Sequence, residues 1–262
     1  MSICFTFWLP TNKGFSNPVA WFNPQGIIKR YDKSDGENVP IKEISIHLCG
    51  NPNLGDSGTA AIAAAVRTVI KSNKNNGAGV ILDTLDLSSC GVGDAGAEAL
   101  ALALESRPGI CIRHLNLSNN KITDVGAAAL GNALLSSGAD ENGKPVLESL
   151  ELNGNSDIRD NAAASIAAAV GKGLISSIAM RSCHIQADGA FNFGKALKSI
   201  AQHQGSMPYI LRIDLSGNPL GVLRGKSSKG SKYSASVIKS KASATTSAYM
   251  NMIRRGIKSG LK

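Results

Sequence analysis

Residues 112–130 read IRHLNLSNNKITDVGAAAL. In their first half, apolar and polar side chains alternate with a period of two, which predicts a short, half-buried β-strand. In their second half, Asp124 and Gly126 precede an alanine-rich run whose apolar residues have helical spacing, so a helix is expected to begin near Asp124. The stretch therefore predicts a strand, a turn and a helix, in that order.

The strand pattern recurs six times, as apolar-x-x-apolar-x-apolar-x-x followed by Asn or Cys. The copies begin at Ile41, Leu82, Ile112, Leu147, Ile175 and Ile210. In the same order, they end at Cys49, Cys90, Asn120, Asn155, Cys183 and Asn218. An Asn side chain can bond neighbouring backbone groups, and Cys is a small residue with a weak donor. We therefore expect the closing residues to form one stacked, structural column.

The helix start also recurs, with an aspartate just ahead of the alanine-rich run. These aspartates are Asp56, Asp94, Asp124 and Asp160, while the fifth repeat moves the acid one place later, to Asp188. Each is expected to cap the N-terminus of its own helix, where a carboxylate accepts backbone N–H bonds. One strand–helix unit cannot bury its own apolar face, so neighbouring units must stack.

The strand signature and the helix starts of the form (Leu/Ile/Val)-x-Asp-x-Gly-Ala resemble ribonuclease-inhibitor-like leucine-rich repeats. Such repeats are also found in Ran GTPase-activating proteins, CARMIL-type actin regulators and NOD-like receptors. The resemblance extends from Ile41 to about Leu220. It implies an α/β leucine-rich-repeat solenoid of six repeats, shaped as a horseshoe, with parallel strands on the concave face and helices on the convex face. This architecture hosts many functions, so the resemblance does not choose among them.

The formal charge of +9 is concentrated in the C-terminal segment. Residues 221–262 contain ten Lys and Arg and no acid, whereas the first 220 residues carry 18 basic and 19 acidic residues, a net charge of −1. We expect 221–243 to be a basic low-complexity loop and 244–262 to be the helix that completes the sixth repeat. Residues 41–220 would form the solenoid.

Residues 1–40 show no repeat but hold six of the eight Phe and Trp residues of the chain. They are expected to form an N-terminal cap or a non-repeat segment that covers the first repeat. A ligand-binding aromatic patch is the alternative for this segment.

Five cysteines without a CxxC pair argue against a disulfide framework or a zinc knuckle. The N-terminus lacks the basic region of a signal peptide, and no stretch approaches the ~20 apolar residues of a membrane span. We therefore expect a soluble protein of a reducing compartment, cytoplasmic or nuclear.

No catalytic motif is apparent: the sequence lacks a Walker loop, HExxH, GxSxG and paired Cys/His metal spacing. His47 and His114 lie in strand segments but in different columns, and both are expected to be solvated side chains of the sheet face. We therefore predict no catalytic residue, no cofactor and no metal, and a protein that binds rather than catalyses.

The strand residues that point away from the core are the candidate binding residues. From positions three, five and seven of each repeat, they are Glu43, His47, Asp86, His114, Asn116, Glu151, Arg181, Arg212 and Asp214. The middle column carries Asp86, Glu151 and Asp214, and six strands span roughly 24 Å, enough for one face of a small protein partner of unknown identity. Because this face lacks large apolar anchors, binding should be polar, salt-sensitive and modest in affinity. The loops Ser72–Gly79 and Gly138–Pro145 are expected to share in recognition, and a merely solvated polar face is the alternative.

Two other functions are weighed against this one. Regulation of a small GTPase, as in Ran GTPase-activating proteins, is disfavoured because those proteins carry more repeats and an acidic tail. Inhibition of a ribonuclease is a still weaker hypothesis. The basic tail is an alternative contact for nucleic acid or an anionic membrane, although few aromatic residues are available for base stacking. Its candidate residues are Lys226, Lys229, Lys232, Lys239, Lys241, Arg254 and Arg255.

Overall fold

The computed structural model describes residues 2–6, 43–73, 81–105, 112–138, 147–202 and 212–220. The predictions for 221–243 and 244–262, and most of the segment 1–40, lie outside the described residues.

The strands form one parallel sheet in which the spatial order follows the chain order. Its seven strands are β1 (Ser2–Thr6), β2 (Glu43–His47), β3 (Ile81–Asp86), β4 (Ile112–Asn116), β5 (Ser149–Glu151), β6 (Ser177–Ala179) and β7 (Arg212–Asp214). The strands β2 to β7 are those of the six sequence repeats, so this prediction is confirmed. β1 was not predicted; it pairs with β2 from Ser2 opposite Glu43 to Thr6 opposite His47.

Helices alternate with the strands from β2 onward and pack against one another in chain order. The helices in the described residues are α1 (Gly55–Asn73), α2 (Asp94–Glu105), α3 (Asp124–Ser137), α4 (Asp160–Gly171) and α5 (Ala187–Gln202). The alternating strand–helix units form the predicted α/β solenoid, because each unit covers the apolar side of its neighbour.

The core lies between the sheet and the helices and consists of aligned, equivalent residues. Leu115 and Leu150 face each other across β4 and β5 and are 1% and 0% exposed. The helices come close because small residues lie between them: a Cβ atom on Gly131 of α3 would lie 2.9 Å from the backbone nitrogen of Ile166 in α4. Interiors of this density tolerate little added volume.

The register of the first repeat differs from the prediction. A shift between Ile44 and Ser45 places His47, not Ser45, opposite Asp86. The N–H of Leu48 donates to the Asp86 carbonyl at 2.8 Å, as the N–H of Leu87 donates to the Asn116 carbonyl at 2.9 Å, so Leu48 is the equivalent of Leu87. The closing residue is therefore Asn51 rather than Cys49. An alternating pattern looks the same after a shift of two residues, which is why the sequence did not reveal the difference.

The turns after the strands support the corrected register. The residue at the same place in each turn has a positive φ, and these residues are Gly50, Ser89, Asn119, Gly154, Ser182 and Gly217. Gly50 directly precedes Asn51, as Asn119 precedes Asn120, when the closing residue is placed in this way. Left-handed backbone favours glycine, and Asn is among the residues that tolerate it.

Candidate binding face of the sheet

The side chains of the strands that point away from the helices form what we call the open sheet face. Strand pairing places equivalent residues in columns. The first column contains Ser45, Thr84, His114, Ser149, Ser177 and Arg212, and the second contains His47, Asp86, Asn116, Glu151, Ala179 and Asp214. The turn that follows each strand continues the face with a third column of Cys49, Ser88, Ser118, Asn153, Arg181 and Ser216. Of the predicted site residues, Glu43 lies outside these columns because it pairs with Ile81, one step before Leu82.

The second column has a structural role as well as a charge. Asp86, Asn116 and Asp214 each accept the backbone N–H two residues later, at 2.9, 3.0 and 3.0 Å. Bonds of this kind close the turn at the end of a strand. The carboxylates of Asp86 and Asp214, two of the three predicted in this column, therefore already accept hydrogen bonds from the backbone.

Arg181 and Asp214 form an ion pair across β6 and β7. The Arg181 Nε atom donates to Asp214 Oδ2 at 2.6 Å, and 59% of the Arg181 side chain is exposed. Burial acts to raise the pKa of Asp214, but hydrogen bonds from Ser216 and from Arg181 outweigh it, and the pKa lies below its ordinary value. The charges of Arg181 and Asp214 therefore cancel at the C-terminal end of the open sheet face.

His47 lies next to Asp86 because of the corrected register. Its Nδ1 atom is 3.9 Å from Asp86 Oδ2, a distance at which a protonated imidazole would pair with the carboxylate. The sequence prediction placed His47 in the last column, away from Asp86, and the shift by two residues makes that placement wrong. His114 lies in the first column, so the two histidines are in different columns, as predicted.

Of the three carboxylates in the second column, that of Glu151 makes the fewest contacts within the fold. Within the described residues, its recorded partner is the amide of Asn153, whose Nδ2 atom lies 3.5 Å from Glu151 Oε2. This is a weak contact by distance. Arg212, in the first column, is exposed. Glu151 and Arg212 are thus the predicted charges whose side chains the structure leaves most available.

An ionic ladder at the start of the strands was not predicted. Arg113 Nη1 lies 3.4 Å from Asp83 Oδ1, and Arg113 Nε lies 3.9 Å from Glu148 Oε1. These residues occupy the second position of three successive repeats, and their alternating charge is the sequence signal that indicates the ladder. Pairs of this exposure contribute little stability.

The closing residues form the predicted column of side chains between repeats. Asn155 is fully buried; its Nδ2 atom donates to the carbonyls of Leu117 and Leu152 at 3.0 and 2.9 Å, and its Oδ1 atom accepts from the N–H of Ile122 at 3.1 Å. Asn120 and Asn218 likewise bond their own repeat and the one before. Cys90 belongs to the same column. Its thiol is a smaller donor than the Asn side chain and donates to the Leu48 carbonyl at 2.9 Å.

The aspartates at the helix starts cap the helix of the next repeat rather than their own, which corrects the prediction. Asp94 is the first residue of α2, yet its Oδ1 atom accepts from the N–H groups of Thr123 and Gly126, at 2.8 and 2.9 Å, where α3 begins. Its Oδ2 atom accepts from the Thr123 hydroxyl at 2.7 Å. Asp56, Asp124 and Asp160 make equivalent bonds to the following repeat. The positive ends of α2, α3, α4 and α5 are therefore stabilised by the preceding repeat.

The thiols are expected to differ strongly in reactivity because Cys49 is exposed and Cys183 is buried. Burial raises the pKa of Cys183 from 9.0 to about 11, and hydrogen bonds from the Asn155 and Gly154 backbone offset only part of this. A rise of that size leaves roughly a hundredfold less thiolate, which is the reactive form. Iodoacetamide applied to the native protein should therefore modify Cys49 at least a hundredfold faster than Cys183. Peptide mapping by mass spectrometry would report each cysteine separately, and equal rates would contradict the corrected register of the first repeat.

Within the described ranges, no three His, Cys, Asp or Glu side chains are grouped so that they could hold a metal ion. None of the described helices is long and apolar enough to cross a membrane. The rim loops named above lie mostly outside the described residues, as do all seven candidate basic residues of the tail.

Comparison with known proteins gives one family. The model of the leucine-rich repeat family matches residues 82–101 and 110–131, which cover β3 with most of α2 and β4 with the first half of α3. The search of curated proteins finds no match. Leucine-rich-repeat domains are generally protein-interaction scaffolds and are typically not enzymes. Residues 82–101 and 110–131 therefore match leucine-rich repeats, and the stacked strand–helix units around them have the fold of an α/β leucine-rich-repeat solenoid.

Proposed function

We propose that this protein is a non-catalytic scaffold that binds a protein partner through its open sheet face. The observation that carries the proposal is the alignment of Asp86 and Glu151 in the second column, among short polar side chains that keep the face accessible. Six strands at ~4.8 Å spacing give this surface a width of roughly 24 Å, which suits one side of a small folded domain.

The charges of the face favour a partner with basic side chains opposite Asp86 and Glu151. At the C-terminal end, Arg181 already neutralises Asp214, while the exposed Arg212 would meet an acidic or polar group. Complementary charges of this kind steer association and fix the register of the two surfaces. Because the columns contain no Trp, Tyr, Phe or Leu, we expect an affinity that falls as salt concentration rises.

The rim loops Ser72–Gly79 and Gly138–Pro145 are proposed to contribute further contacts at the edge of this face. Binding residues are disproportionately found on loops that a rigid scaffold positions. The regular stacking of the described repeats supplies such a scaffold.

Replacement of Glu151 by lysine is expected to abolish partner binding while preserving the fold. Within the part of the chain that the structure describes, Glu151 makes only the weak contact with Asn153, so its loss leaves no buried group there unsatisfied. The new charge would repel a basic partner, and the enrichment of that partner in affinity capture should fall at least tenfold, or about 1.4 kcal/mol or more. The measurement is quantitative mass spectrometry of proteins captured by wild-type and variant chains.

The matched control is Glu98→Lys, which makes the same charge change at an exposed position of α2, on the helical side. This variant should retain the partner. Asp86→Asn is a second probe, since its amide oxygen can still accept the Ser88 N–H and only the charge is removed. Equal partner lists for Glu151→Lys and Glu98→Lys would exclude the open sheet face as the binding surface.

A further inference from the structure

The described residues cover the end of the solenoid beyond β7 only partly. Ile213 and Leu215 in the last described repeat are only half-buried, whereas their equivalents one repeat earlier, Ile178 and Met180, are 1% and 0% exposed. In the described sheet, β7 has β6 as its only neighbour. The difference in burial therefore follows from the position of β7 at the end of the described sheet and not from a change of residue type.

The last described helix shows the same difference. Leu197 of α5 is half-buried, although the residues at the same helical position are buried in the three preceding helices. Those residues are Leu104, Leu134 and Val170, at 4%, 1% and 0% exposure. Together with Ile213, Leu215 and the half-buried Leu220, Leu197 forms what we call the C-terminal apolar end. Burial of apolar side chains such as these contributes roughly 25 cal/mol per Å².

We propose that residues 244–262 of the same chain form a helix that packs on the C-terminal apolar end and acts as the helix of the sixth repeat. This inference does not depend on the binding function of the open sheet face. It assigns residues 244–262 to the C-terminal apolar end, which the described residues leave partly exposed.

The segment directly after Leu220 is a poor candidate for this place. In the inner repeats, the helix begins two residues after the residue equivalent to Leu220, as Asp160 follows Ile158 and Ala187 follows Ile185. Residues 221–243 contain no aspartate and are rich in Gly, Ser and Lys. The segment therefore lacks the aspartate of a helix start, and its large apolar residues, Val222, Leu223, Val237 and Ile238, lie in two separate pairs rather than at helical spacing.

Residues 244–262 have the required pattern. Tyr249, Ile253 and Ile257 recur at intervals of four residues, so they would lie on one face of a helix. The basic residues Arg255 and Lys258 would fall in its second half, toward the end where a helix dipole favours cations. The 23 intervening residues can span at most about 3.3–3.6 Å each, which is ample to bring this segment back beside α5.

Replacement of Ile253 by aspartate in the full chain is the decisive test. We expect hydrogen exchange in peptides covering β7 and the second half of α5 to become at least tenfold faster, because a charge in the packed face removes the cover. Peptides covering β2 should be unchanged, since repeats contact only their neighbours. Retained protection there would also show that the variant is folded.

Asn251→Asp is the matched control, because it adds the same charge about 200° away around the helix. It should leave exchange unchanged, and Ile253→Leu should keep the protection of the wild-type chain. Equal exchange in Ile253→Asp and Asn251→Asp would overturn the proposal. Protection of β7 that rises with protein concentration would also overturn it, because a second copy of the chain would then be the occupant.

Discussion

Replacement of Asn155 by leucine is expected to lower the free energy of unfolding by about 3–5 kcal/mol. The change removes three hydrogen bonds in a fully buried position and leaves the N–H of Ile122 without its side-chain acceptor. The carbonyls of Leu117 and Leu152 keep only their second donors, Asn120 Nδ2 at 3.0 Å and Cys183 Sγ at 3.5 Å. The unsatisfied N–H costs roughly 1–3 kcal/mol, each of the two other lost hydrogen bonds costs roughly 0.5–1.5 kcal/mol, and the apolar side chain recovers part of this. Urea unfolding followed by circular dichroism measures the loss.

Two further variants show whether the hydrogen bonds are responsible. Asn161→Leu makes the same chemical change at an exposed position of α4 and should alter stability by no more than about 0.5 kcal/mol. Asn155→Cys should cost about half as much as Asn155→Leu, because the thiols at Cys90 and Cys183 already serve in this column. The role of the column would be refuted by equal stability of Asn155→Leu and Asn161→Leu.

Replacement of Asp94 by alanine is expected to cost about 2–4 kcal/mol and to loosen the start of α3 rather than that of α2. The carboxylate accepts from the N–H groups of Thr123 and Gly126 and from the Thr123 hydroxyl, so its removal leaves the next helix uncapped. Hydrogen exchange at Thr123 and Gly126 should therefore accelerate. The N–H of Ala97 donates to the Gly93 carbonyl and should keep its protection.

Asp188 provides the control for this experiment. It lies in the first turn of α5 and is exposed, and within the described residues no hydrogen bond from a following repeat reaches it. Asp188→Ala should therefore cost no more than about 1 kcal/mol, the value of a favourable charge at a helix N-terminus. If Asp94→Ala instead accelerated exchange at the start of α2, each aspartate would cap its own helix and the inter-repeat assignment would be incorrect.

The sequence predicted which residues lie on the open sheet face better than it predicted the contacts between their charges. Alternation along a strand decides which side chains point away from the core, so Asp86, Glu151 and Asp214 were correctly placed in one column. The ion pair of Arg181 with Asp214 joins residues 33 positions apart, and the contact of His47 with Asp86 depends on the shift in the first repeat. Both depend on how neighbouring repeats stack.

The first strand shows the corresponding limit for the fold. The segment Ser2–Thr6 has neither Asn nor Cys at the closing position and is not followed by a helix start of the repeat type, so it does not match the repeat pattern. It nevertheless extends the sheet beside β2, because the edge of a parallel sheet offers backbone donors and acceptors to any extended segment. Sequence identity matters less for such pairing than the presence of an edge.

The amino-acid sequence by itself determined the order of strands and helices, the side of each strand that is buried and the residues available at the turns. These properties follow from periodicities of two and of about 3.6 residues, which act within a few residues of the chain. Only the tertiary structure decided that the aspartates cap the following helix, that Asn51 closes the first repeat, and which charges meet across the sheet. Hydrogen bonds and ion pairs between repeats depend on the register and the stacking of the repeats. A periodic sequence pattern does not fix the register or the stacking, because it looks the same after a shift of one period.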